Sequence, residues 1–237
     1  MEDWNHFLLP YQQAVDELKV KLRGMRKQFR DLNQHEPIEF VTGRVKPVDS
    51  IKEKMTRRKV QEDRLEQDMQ DIAGLRIMCQ FVEDIYQVVD LLRKRTDMTI
   101  LEERDYISNE KPSGYRSYHI VIEYPVQMVG GEKKILAEIQ VRTLAMNFWA
   151  TIEHSLNYKY QGDFPENLSQ RLQRAAEAAF SWIKKCQKFV RKFKKLRACS
   201  RMGRGRATMS LTRQRKIKIH ESNDFCKCEC QDQESSG

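Results

Sequence analysis

Residues 117–142 constrain the fold most: SYHIVIEYP and ILAEIQVR each alternate polar and apolar side chains, and MVGGEKK with its paired glycines separates them. Period-two alternation marks a half-buried strand, and a Gly-containing link between two such runs predicts an antiparallel hairpin. Ile139 and Val141 fall on one face of the second strand, and Glu138, Gln140 and Arg142 on the other. In the first strand Ser117, His119 and Val121 share a face, with Tyr115 just upstream. Two neighbouring strands thus gather a carboxylate, an amide, a guanidinium and an imidazole, which is more polar function than a solvated sheet face requires.

The rest of the chain must cover the apolar side of that hairpin. Residues 5–34 predict a long helix, because Phe7, Leu8, Tyr11, Val15, Leu18, Leu22, Met25 and Phe29 recur every three or four residues. Further helices are expected at 48–60, with Pro47 in its first turn, and at 84–95, 145–160 and 165–180; strands are expected at 75–81 and within ILEERDYI, residues 100–107. Helices and strands interleave without strict alternation. The predicted class is therefore α/β in the broad sense, α+β: a mixed sheet flanked by helices, not a doubly wound parallel one.

The net charge of +9 invites a nucleic-acid reading, but its distribution does not favour one for the folded part. Residues 1–180 hold 27 Lys/Arg against 29 Asp/Glu, whereas 181–237 hold 16 against 5. Cysteine divides the same way, with Cys79 alone in the first part and Cys186, Cys199, Cys226, Cys228 and Cys230 in the second. One cysteine in the first 180 residues suits a reducing compartment, and CKCEC without a distant second ligand cluster is a weak zinc signature. With neither a spanning apolar run nor a signal-like N-terminus, the chain is expected to be soluble and cytoplasmic.

Asp71, in the run DIAGLRI, stands just before an apolar strand, and Arg44, Lys46, Lys54, Arg57, Arg58 and Arg76 surround it in sequence. Two carboxylates, Asp71 and Glu138, amid many cations suit phosphoryl chemistry, which asks for positioning and neutralisation of spread negative charge. The chain has no G-x-x-x-x-G-K-[ST] and no G-x-G-x-x-G, so side chains must bind the phosphates.

Four segments in order, EFVTGRVKPVDSI (39–51), DIAGLRIMCQF (71–81), SGYRSYH (113–119) and EIQVRTLAMNFWATIEHSLNYKY (138–160), resemble the RelA/SpoT-type synthetase domain. The resemblance covers about residues 4–180 and is nearest to small, RelQ-type alarmone synthetases. It implies a nucleotidyltransferase-like fold and transfer of pyrophosphate from ATP to the 3′-hydroxyl of GDP or GTP, releasing AMP, within the stringent response.

By position, the resemblance implies that Arg44 and Arg76 sandwich adenine, while Lys46, Ser50, Lys54 and Arg58 line the ATP phosphates. Asp71 and Glu138 match the positions that hold Mg²⁺, with Glu138 the base for the 3′-hydroxyl. Tyr115 matches the tyrosine that stacks on guanine, and His119, Lys111, Ser113, Gln140 and Arg142 fall on the acceptor side. RelQ-type enzymes are homotetramers activated by pppGpp, and the matching positions are Lys19, Arg23, Phe40, Thr42 and Asn147. No paired His-Asp cluster suggests a hydrolase, so synthesis alone is expected.

The resemblance stops near Phe180. Residues 1–180 are read as the synthetase domain with its N-terminal helix, and 181–237 as an atypical, basic, cysteine-containing and poorly ordered tail. Codons for 182–197 can be chosen so that a one-base shift yields an acidic amphipathic helix like the family's ending, which points to a frameshift near residue 181. Two rivals are a non-catalytic RNA-binding or regulatory protein using the basic tail, and a nucleotidyltransferase acting on RNA.

Overall fold

The computed structural model describes residues 3–159 and 165–206. Helix α1 (Trp4–Asp31) begins where the Asp3 carboxylate accepts from the His6 backbone N–H at 3.0 Å, and it buries Tyr11, Ala14, Val15, Leu18, Leu22 and Met25. Strand β1 (Phe40–Val45) and helix α2 (Val48–Arg58) follow. Pro47 occupies the N-cap of α2, one place before the expected first turn. A short helical stretch (62–68) leads into β2 (Ala73–Cys79), then α4 (Val82–Arg93), with the one-turn α3 (Leu65–Asp68) before β2. The remaining elements are β3 (Thr99–Asp105), β4 (Tyr118–Met128), β5 (Gly131–Thr143), α5 (Leu144–Lys159) and α6 (Glu166–Arg206).

The five strands form one mixed sheet in the order β1-β2-β5-β4-β3, with β2 and β5 parallel and the other pairs antiparallel. On β5 the buried apolar residues are Ile135, Ala137, Ile139 and Val141, matched by Leu75 and Ile77 on β2 and by Ile120 and Ile122 on β4. These join the buried stripes of α1 and α4 in one core. Burying such side chains contributes about 1.5–3 kcal/mol each, so this face fixes strand register and leaves the opposite face free for polar work.

Two expectations change in detail. The hairpin link is two residues, not seven, because the ladder continues to the Met128–Gly131 pair, where Gly131 adopts φ +113°. Polar cross-strand pairs carry that extension: Gln127 donates to Glu132 at 2.9 Å and Lys134 to Glu123 at 2.9 Å. The second difference is α6, which continues past residue 180 to Arg206. Residues 181–202 contain no Gly or Pro and many Lys and Arg, so helix propensity persists where apolar burial fades. The chain divides into Met1–Val190 and Arg191–Gly237, and in the second unit the described residues are helical. Cys226, Cys228 and Cys230 lie outside the described residues. No helix among those described is long and apolar enough to cross a membrane.

Candidate active site

The polar sheet face holds the site. Register places Thr42 opposite Arg76 and Arg44 opposite Gly74 across β1–β2, then Gly74 beside Glu138 and Arg76 beside Gln140 across β2–β5. Thr42, Arg44, Lys46, Asp71, Arg76, Glu138 and Gln140 consequently line one cavity of about 190 Å³. Asp71 and Glu138, 67 positions apart in sequence, meet there. Each Asp71 oxygen takes one ammonium: Lys54 at 2.6 Å on Oδ1 and Lys46 at 2.8 Å on Oδ2. Burial pushes the Asp71 carboxyl up, but the two lysines outweigh it and hold its pKa below the ordinary value. Arg76 is less easily charged than usual, through burial and then repulsion from Arg142 and Arg44. Such crowding of cations around one opening suits a polyanion.

Ser50, Lys54 and Arg58 recur every four residues on α2 and so share a helix face. Arg58 is exposed and acts on Lys54 through its charge, whereas Ser50 is half-buried and is not among the lining residues of the cavity. Gly43 lets α1 approach β1 closely, since a Cβ there would lie 2.9 Å from Val15 Cγ1 and 3.1 Å from Lys19 Cδ.

Across the face, hydrogen bonds replace ion pairs. Glu138 Oε1 accepts from His119 Nδ1 at 3.0 Å, and Oε2 from Gln140 Nε2 at 2.7 Å. With Nδ1 donating to the carboxylate, His119 Nε2 is left to accept from the Tyr115 hydroxyl at 2.8 Å, a tautomer assigned from the network. Arg142 donates to the Tyr115 hydroxyl and to Gln140 Oε1, both at 2.5 Å, and to Ser117 Oγ at 3.1 Å. Gln140 Oε1 also accepts from Arg76 at 3.3 Å, so this amide ties the two halves of the site together. Burial raises the Glu138 pKa, but the bonds from His119 and Gln140 more than offset it, and the carboxyl stays ionised below the ordinary glutamate value. Burial likewise raises the Tyr115 phenol, against the opposing charge of Arg142.

Tyr115 carries Arg142 over its ring at 5.2 Å and Lys111 at 5.0 Å, and its backbone N–H reaches Ser113 Oγ at 3.4 Å. Residues the sequence reading did not single out join here. Tyr106 packs edge-on to His119 at 5.2 Å and to Tyr115 at 6.2 Å, with Lys111 over it at 4.5 Å. Arg104, paired with His119 across β3–β4, is held by Glu102 at 2.5 Å and Gln70 at 2.8 Å. Glu102, Arg104 and Tyr106 are spaced two apart, but Glu103 and Asp105 between them are charged as well, so no polar–apolar alternation marks their face in the sequence.

The positions matched to product activation separate. Arg23 and Phe40 line a second cavity of about 370 Å³ with Arg26, Lys27, Arg30 and Val41. Lys19 pairs with Asp16 at 2.9 Å, one turn before Arg23, while Thr42 lines the first cavity and Asn147 lies half-buried on α5.

Two carboxylates at one cavity suit a small hard cation that takes one or two protein oxygens and completes its shell from phosphates and water. Among the described residues no group of three or more His, Cys, Asp or Glu forms a self-sufficient metal site. The donor set therefore fits Mg²⁺ brought together with a nucleotide better than a resident structural metal.

A mixed sheet with one face of paired acids, arginines and a Tyr-His-Glu chain defines a class that sequence comparison identifies directly. Residues 43–163 match the family described as "Region found in RelA / SpoT proteins", and the chain belongs to that family. It is 62% identical over 178 residues to GTP pyrophosphokinase YjbM of Bacillus subtilis, covering 75% of this chain and 84% of that protein. The fold is similar to small alarmone synthetase 1 from Bacillus subtilis bound to its product pppGpp, with TM-score 0.76, 58% identity and coverage of 80% and 97% of the two chains. The same enzyme bound to AMPCPP gives TM-score 0.71 at 53% identity, with 81% and 98% covered.

Proposed function

We propose that this chain is a GTP pyrophosphokinase of the small alarmone synthetase type, moving pyrophosphate from ATP to the 3′-hydroxyl of GDP or GTP. The observation that carries the reading is Glu138, which lines the cationic cavity with Asp71 and also ends the hydrogen-bond chain from Tyr115 and His119. The relatives' substrates, a product-bound structure and an ATP-analogue complex support the same assignment.

ATP enters the cavity with its adenine between Arg44 and Arg76 and its phosphates against Lys46, Lys54, Ser50 and Arg58. Asp71 and Glu138 would hold Mg²⁺, which would supply charge neutralisation for the phosphates. The guanine base stacks on Tyr115, with His119, Lys111, Ser113, Gln140 and Arg142 around the acceptor. Glu138 takes the 3′-hydroxyl proton as that oxygen forms a bond to the β-phosphorus of ATP. The bond from the β-phosphorus to the α,β-bridging oxygen breaks, and AMP leaves with that oxygen. Gln140 and His119 orient the Glu138 carboxylate, and Lys46 and Lys54, beside Asp71, neutralise charge on the ATP phosphates.

The reading extends to a cytoplasmic, synthesis-only homotetramer activated by pppGpp through Lys19, Arg23, Phe40, Thr42 and Asn147. An exposed apolar row on α5, Leu144, Phe148, Ile152 and Leu156, supports self-association. The basic residues beyond 180 favour an added, salt-sensitive affinity for RNA. The frameshift near 181 is tested by the coding DNA, where a single-base change should restore a family-like ending.

Product analysis tests the function. With ATP labelled on its terminal phosphates, label should move to the guanine nucleotide while AMP is released. Release of pyrophosphate with AMP joined to an RNA would instead establish the nucleotidyltransferase reading.

A further inference from the structure

Tyr115 and Arg116 are adjacent and serve opposite sides of the chain. Tyr115 reaches into the site, whereas Arg116 turns away onto α6, its side chain only 8% exposed. The Arg116 guanidinium stacks on the Phe180 ring at 4.4 Å, donates from Nη1 to the Gly114 carbonyl at 3.2 Å, and pairs through Nη2 with Glu110. Its Nε has no hydrogen-bond partner, an incomplete set for a buried guanidinium that the stack and ion pair must offset. Gly114, at φ +85°, presses directly on the same helix: a Cβ there would lie 2.7 Å from Ala176 Cβ and 3.4 Å from Gln173 Cα. The turn is closed by Gly114 N–H to Lys111 carbonyl at 2.8 Å. Trp149 pins α5 to α6 by donating to the Leu172 carbonyl at 2.9 Å, and Tyr115 packs against the small cluster of Trp149, Ala150 and Ala176.

We infer that Arg116, clamped between Phe180 and the Gly114 carbonyl, is a positioning residue that sets the acceptor-binding loop against α6 and so tunes affinity for the guanine nucleotide. The inference rests on the proposed acceptor role of Tyr115. It assigns a share in acceptor binding to α6, which starts beyond the family match at residue 163. The donor half, built from β1, α2 and β2, has no part in the clamp and should not sense it.

The full chain is assayed with ATP and GDP varied in turn, in wild type, Arg116→Ala, Arg116→Lys, Phe180→Leu and Tyr115→Ala. Arg116→Ala should raise KM for GDP about tenfold and leave KM for ATP within about twofold. Phe180→Leu, the gentler change, should shift the same constant in the same direction. Arg116→Lys keeps the charge for Glu110 but loses the planar fork and stack, so it should restore only part of the loss. Equal rises in both KM values, or a lower melting temperature with both KM values unchanged, would overturn the clamp and leave a structural residue. If Tyr115→Ala leaves KM for GDP unchanged, the acceptor assignment itself fails, a result distinct from failure of Arg116 and Phe180 alone.

Discussion

The two halves of the site hold their charged groups by different means. On the proposed donor side, Asp71 sits between two ammonium groups and further arginines stand around the cavity. On the proposed acceptor side, Arg142, Tyr115, His119 and Glu138 form a continuous chain of hydrogen bonds. Ion pairs that can exchange partners suit a site whose ligand brings its own charge and metal. A directional chain that fixes a tautomer suits a base that must meet a hydroxyl in one geometry. Gln140 joins the two by accepting from Arg76 and Arg142 while donating to Glu138.

Substitutions at the join should have the largest effect. Glu138→Gln should lower turnover by about a thousandfold while nucleotide binding persists, as measured by steady-state rates beside equilibrium titration. Undiminished turnover would remove Glu138 from the role of base. Next, Arg76→Ala should raise KM for ATP by about tenfold and leave KM for GDP nearly unchanged, since it acts on the donor half. If both constants rise together, Gln140 transmits the loss across the site and the two halves are not separable. Smallest is Tyr115→Phe, which keeps the ring but removes the hydroxyl between Arg142 and His119. A net hydrogen bond contributes about 1 kcal/mol, so an effect of about fivefold on KM for GDP is expected, well short of that of Tyr115→Ala.

Acid should act on both halves in the same direction. Asp71 and Glu138 have folded pKa values below their ordinary ones, so each contributes stability that is fully present above its unfolded pKa and is lost as pH falls through the folded value. The acid limb of activity should accordingly fall below the ordinary carboxylate range, and Asp71→Asn should flatten the acid dependence of unfolding measured by denaturant titration. A limb near neutrality would show that a group other than these carboxylates controls the rate.

The hairpin and the buried stripe of α1 were legible because period and burial agree: alternation at 117–142 and three- or four-residue spacing in α1 both survive in the sheet and core. The meeting of Asp71 with Glu138 was legible from motif resemblance more than from pattern, since it depends on the parallel β2–β5 pairing. Tyr106 and Arg104 were obscured because charged residues on an edge strand ordinarily face solvent. Only partners distant in sequence, Gln70 for Arg104 and Tyr115 and His119 for Tyr106, reveal their place. The continuation of α6 is hard to see in the sequence because its amphipathicity fades past residue 180, yet the run to 202 has no Gly or Pro and still buries Ile183 and Gln187.

The central claim is that Asp71 and Glu138 share one divalent cation with the ATP phosphates. Titrating Mn²⁺ by electron paramagnetic resonance, with and without a non-hydrolysable ATP analogue, tests it in wild type, Asp71→Asn and Glu138→Gln. The account predicts a nucleotide-dependent Mn²⁺ site on the wild-type protein that both variants weaken. Wild-type Mn²⁺ affinity in either variant would contradict it.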